Sequence, residues 1–128
     1  MTKMYIRDNP NPKKNLVGDC VVRAIALATE QPWEQVYIDL CLQGLSLYDM
    51  PSSNNVWKTY LQKNGFKIGI IPNSCPECYT VSEFANDNKD GIYILGTGDH
   101  VITVKDGNYY DTWDSGEEVP TFYLYKEK

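Results

Sequence analysis

The hydrophobic spacing of this chain changes once, at Asn64-Gly65, and that change limits what it can fold into. Before it, apolar residues recur at helical spacing. Trp33, Val36, Tyr37, Leu40 and Cys41 form one stripe, and Val56, Trp57, Tyr60 and Leu61 another. After it come short runs rich in β-branched and aromatic residues: Phe66 to Ile71, Gly91 to Leu95, Asp99 to Lys105, Asn108 to Asp114 and Thr121 to Tyr125. Helices first and strands afterwards is the order of an α+β protein, with N-terminal helices packed on a C-terminal antiparallel sheet. At 128 residues, a single domain over 1–128 accounts for the whole chain.

Local signals place the elements. Asp19 suits the N-cap of a helix that runs from Cys20 to Ala28, is apolar nearly all round, and is therefore expected to be buried. Pro32 suits the first position of a second helix ending near Gly44. Ser52 or Ser53 caps a third, stopped by Asn64-Gly65. Val81 to Asn86 reads as a short helix, and Asp106-Gly107 as a hairpin turn. Asn9-Pro10-Asn11-Pro12 marks an irregular N-terminal arm.

Charge narrows the partners. Twelve basic against 17 acidic residues give a net charge of −5, the wrong balance for neutralising nucleic-acid phosphates or binding an anionic membrane surface. No apolar run approaches the roughly 20 residues of a membrane span. Met1 to Arg7 lacks the apolar stretch of a signal peptide, so the expected location is cytoplasmic and the four cysteines are expected mostly as free thiols. Cys75-Pro76-Glu77-Cys78 has half the spacing of a zinc site, but Cys20 and Cys41 fall on helices far away in sequence. The pair reads as incidental to a loop that could line a cleft. The tyrosine-rich tail reads as sheet packing, and Glu117-Glu118 as a solvated loop.

The chemistry gathers around the chain's one histidine, His100. Cys20 opens a helix, where backbone N–H groups favour a thiolate; an ionised Asp19 beside it opposes that. His100 follows Gly96-Thr97-Gly98 at the start of a strand. If Asp106-Gly107 is a two-residue turn, Lys105 pairs with Asn108 and Ile102 with Asp111, and His100 faces Trp113. Asp111 then shares a face with His100 and lies within reach, whereas Asp114 falls opposite; a loop one residue longer would favour Asp114 instead. A helix-start cysteine, a strand histidine and a next-strand carboxylate supply a nucleophile, a base and an orienter.

The order Cys20, His100, Asp111 resembles the papain-like cysteine peptidase superfamily. Gly18-Asp19-Cys20 is similar to the Asp-Cys-Gly segment of the bacteriocin-leader peptidases, with Val21 in place of the usual glycine. Asp111-Thr112-Trp113 resembles the Asn-Ser-Trp and Asp-Pro-Trp segments of papain-like enzymes. The resemblance implies a papain-like fold and a hydrolase of peptide or isopeptide bonds acting on a peptide or protein substrate. It implies Cys20 as nucleophile, His100 as base, Asp111 as orienter and Trp113 as the shield of that bond. No metal or organic cofactor is required. The glutamine that usually donates to the oxyanion about six residues before the cysteine is Lys14 here, and the neighbouring Asn15 stands in for it. The same order also serves transglutaminase-like acyl transfer, and a non-catalytic binding module could keep the same shell.

Overall fold

The computed structural model describes residues 4–126 as four helices and a six-stranded sheet. The elements in chain order are β1 (Tyr5–Arg7), α1 (Cys20–Thr29), α2 (Trp33–Leu47), α3 (Asn54–Lys63), β2 (Lys67–Ile70), α4 (Val81–Asp87), β3 (Ile92–Gly96), β4 (Val101–Lys105), β5 (Asn108–Asp111) and β6 (Phe122–Lys126). The sheet order is β1-β5-β4-β3-β6-β2. The α+β class holds, but the sheet is mixed rather than wholly antiparallel, because β1 runs parallel to β5 with Arg7 opposite Asp111. Three residues are too few to show a period in the sequence. What holds Tyr5–Arg7 is a distant partner, including the Tyr5 and Tyr109 rings with centroids 5.6 Å apart.

Helices cover both faces of the sheet. On one, Ala24, Ile25 and Ala28 of α1 bury against Ile94 and Leu124, with α2 and α3 completing the layer. The small side chains of α1 let the helix lie close, and Thr103 Oγ1 donates to the Ala24 carbonyl at 2.7 Å. On the other face, Val81, Phe84 and Ala85 of α4 pack on Leu95, Ile102, Val104 and Tyr109. Burying each such Leu, Ile or Phe stabilises the fold by about 1.5–3 kcal/mol. Among the described residues, no helix is long and apolar enough to cross a membrane.

The helix boundaries differ from expectation in instructive ways. α2 runs past Gly44 to Leu47 and stops at Tyr48, which takes a left-handed conformation at φ 53°. Of its stripe only Val36 and Leu40 are buried, and Tyr37 stays 50% exposed, because the helix meets its neighbours along a narrow seam. In α3 all four expected inward residues are buried.

The hairpin is the one expected. Asp106 and Gly107 both have positive φ, as a two-residue turn of that kind demands, and Lys105 pairs with Asn108. β5 is shorter than expected and ends at Asp111. Trp113 therefore lies beyond the strand rather than opposite His100 in a ladder.

The expectation of mostly free thiols fails for one pair: Cys75 and Cys78 are joined by a disulfide, and Cys20 and Cys41 are free. The short spacing folds the two sulfurs onto each other within a turn. Their loop borders a hollow formed with Ile70, Tyr79 and Phe84, away from Cys20.

Candidate active site

Three chain segments end at one rim of the sheet. Cys20 is the first residue of α1. His100 precedes the first residue of β4 and Asp111 is the last of β5. The β3–β4 turn that carries His100 closes through Thr97 N–H to the His100 carbonyl at 3.0 Å, with Gly98 at φ 109°, a conformation glycine tolerates. The β4–β5 hairpin sets the acid in register with it.

His100 Nε2 lies 2.6 Å from Asp111 Oδ2. That commits one ring nitrogen to the acid and leaves Nδ1 for the Cys20 thiol, with which the imidazole also interacts. Asp111 is almost wholly buried, and its carboxylate is saturated. Oδ2 also accepts from Ser115 Oγ at 2.7 Å, and Oδ1 accepts from the Thr112 N–H at 2.8 Å and Arg23 Nη2 at 3.3 Å. The Trp113 ring tilts over the imidazole with centroids 5.1 Å apart, while its outer face stays exposed. The chain beyond β5 is thus a cap over the histidine.

Electrostatics follow from these contacts. Burial alone would lower the His100 pKa, but the Asp111 hydrogen bond and the Cys20 thiol outweigh it and push the imidazole up to about 9. Burial would raise the Cys20 pKa. The His100 hydrogen bond and charge, helped by the Val101 N–H and Arg23, bring it below its ordinary value instead. Burial also disfavours ionised Asp111, but His100 and Ser115 hold its carboxyl below the usual range. All three shifts favour a thiolate–imidazolium pair backed by a carboxylate.

The site opens into a cleft of about 450 Å³ lined by Cys20 and His100 together with Leu16, Val17, Gly18 and Thr112. Of the residues singled out from sequence, Cys20, His100, Asp111 and Trp113 come together here. Asp114 does not: it is turned away, accepting from the Tyr109 hydroxyl and the Gly116 N–H. Asn15 does not either. It is exposed on the N-terminal arm, where its carbonyl accepts from Asn9 Nδ2 at 3.1 Å, and it does not line the cleft. The arm is set by turns at Asn9 and Asn11, whose side chains accept from backbone N–H groups, and those turns carry the Asn15 amide off line. Asn15→Ala is therefore expected to change acylation of Cys20 by p-nitrophenyl acetate less than about threefold, where removing an oxyanion donor costs about 100-fold or more. A loss of that larger size would return Asn15 to the site.

Sequence reasoning missed Arg23 and Ser115. Ser115 gave no signal. Arg23 did: it is the one charged residue in the apolar run from Val21 to Ala28, and such a residue is rarely buried without a partner. Comparison with protein-family models, curated proteins and solved structures finds no match.

Proposed function

We propose that the protein is a cysteine hydrolase of peptide or isopeptide bonds, working through Cys20, His100 and Asp111 with a papain-like arrangement. The observation that carries this reading is the buried His100–Asp111 hydrogen bond at 2.6 Å, on a histidine whose other nitrogen serves the thiol of a helix-start cysteine.

In the acylation step the Cys20 thiolate attacks the carbonyl carbon, and the carbonyl π electrons move onto oxygen. The Cys20 N–H, unpaired at the helix start, donates to that oxyanion. As the tetrahedral intermediate collapses, the C–N bond breaks and the imidazolium gives its proton to the departing amine, leaving a thioester. Neutral His100 then takes a proton from water as the water oxygen attacks the thioester, and collapse expels the acid product and restores the thiolate and imidazolium. Asp111 holds the ring and stabilises its charged form throughout. Trp113 keeps water off one face of that bond.

The active state exists only while Cys20 is ionised and His100 protonated. Activity should therefore rise as Cys20 loses its proton, below its ordinary value, and fall as His100 loses its own near pH 9. The test uses p-nitrophenyl acetate as acyl donor, followed by mass spectrometry of the trapped protein. A nitrophenolate burst, acetyl on Cys20 and a falling limb near pH 9 support the reading. Absence of acylation, or acylation that survives Cys20→Ala, overturns it.

A further inference from the structure

Asp19 occupies the N-cap position of α1, the place where an aspartate ordinarily turns its carboxylate onto the free N–H groups of the first turn. Here it does not: its side chain makes no capping hydrogen bond, and its backbone (φ −109°, ψ 26°) is not extended. Both oxygens are engaged elsewhere. Oδ1 accepts from Arg23 Nη1, one turn along the same helix, and Oδ2 accepts from Trp33 Nε1 at 2.9 Å. The other arm of the same guanidinium, Nη2, reaches Asp111. Arg23 and Asp19 are both buried, at 7% exposure each, so neither charge is dispersed by solvent.

We propose that Arg23 is a positioning residue that draws the Asp19 carboxylate off the α1 N-terminus, neutralises it, and so leaves the helix start free to hold a thiolate at Cys20. This rests on the reading of Cys20 and His100 as a reactive pair. An aspartate immediately before the nucleophile would otherwise place a negative charge beside the thiolate and occupy the N–H groups that stabilise it. The shared guanidinium removes both obstacles, and its second arm fixes Oδ1 of Asp111 while Oδ2 faces His100. Trp33 completes the arrangement by holding the outer oxygen of Asp19 from α2.

The charged and titratable groups around Cys20 are few. His100 and Asp99 come from the β3–β4 turn, Arg23 and Asp19 from α1 and its cap, and Asp111 from β5. The test measures the pH midpoint of Cys20 alkylation by iodoacetamide in folded protein, with folding followed by circular dichroism. Arg23→Gln, which keeps an amide donor but removes the charge, is expected to raise the midpoint by about one pH unit, cutting labelling below the midpoint about tenfold. Adding Asp19→Asn to that variant is expected to recover most of the shift, because the charge that Arg23 neutralises is then gone. Asp19→Asn alone leaves Arg23 paired only with Asp111, removes the negative charge beside Cys20, and is expected to lower the midpoint; this variant decides the matter if Arg23→Gln does not fold. A midpoint unmoved by Arg23→Gln, no recovery in the double variant, or an unmoved midpoint in Asp19→Asn overturns the proposal. Wild-type Cys20 titrating like a free cysteine instead overturns the reactive pair itself, so the two failures are distinguishable.

Discussion

Replacing His100 by alanine is expected to slow alkylation of Cys20 at pH 6 by about 100-fold while leaving the protein folded. An unassisted cysteine, with a pKa near 8.5, is ionised to only about one part in three hundred at that pH. Paired with an imidazolium that stays protonated up to about pH 9, Cys20 is ionised far more fully. The chain has no second histidine to take over. The fold should survive because Asp111 loses one contact of four: Ser115 still serves Oδ2, and Thr112 and Arg23 still serve Oδ1. Rate constants for iodoacetamide labelling, with circular dichroism on the same samples, check this. Wild-type labelling rates in a folded variant would mean that the pair does not exist.

Asp111→Asn should be the other severe change. An asparagine has one acceptor oxygen where the structure uses both, and no charge to hold the imidazolium. Hydrolysis of p-nitrophenyl acetate is expected to fall by about 10²–10⁴-fold, on the scale seen when the orienting acid of a triad is amidated. Asp114→Asn, which replaces a carboxylate that accepts from the Tyr109 hydroxyl and the Gly116 N–H rather than facing His100, should stay within about threefold of wild type, since surface changes away from the His100 network do little. The pH profile gives a second check with a definite sign. The Asp111 contact raises the His100 pKa, so its loss should move the alkaline limb down from about 9 toward the ordinary histidine value of 6.5. The same sign governs stability. Interactions that raise the imidazole pKa stabilise the fold fully below pH 6.5, and that contribution is lost as pH rises through about 9. Equal kinetic effects at Asp111 and Asp114 would count against the assignment.

What the sequence disclosed about this site was local. The Asp106-Gly107 turn fixed the hairpin register, and the register alone separated Asp111 from Asp114. The alternation argument picked the acid that hydrogen-bonds His100 and set Trp113 against the imidazole, but expected Trp113 on the strand, whereas β5 stops at Asp111 and the ring approaches from the following turn. Long-range features were silent. Tyr5–Arg7 becomes a strand only because β5 is there to pair with it. Asp19, an N-cap by every local rule, is pulled away by Arg23 and Trp33. Asn15 was near the right place in sequence, but the Asn9 and Asn11 turns direct it outward. In each case a contact between distant residues overrode a preference legible in a few neighbours.

The position of β6 has a consequence for how such a protein is made. It is the last of the described strands, yet it lies between β3 and β2 in the sheet, and β1, the first of them, clips onto the strand that ends in Asp111. The β3–β4 and β4–β5 pairings are local hairpins, but β1–β5, β2–β6 and β3–β6 join segments far apart in sequence, so the sheet is complete only after β6 is made, and those non-local pairings should slow folding. A ribosome that has delivered α1 and its cysteine has not yet delivered the histidine, the acid or the strand that knits the sheet together. On the proposed function, the reactive pair forms only with the closing of the sheet, which spares the growing chain, and whatever else is near it, from a premature nucleophile.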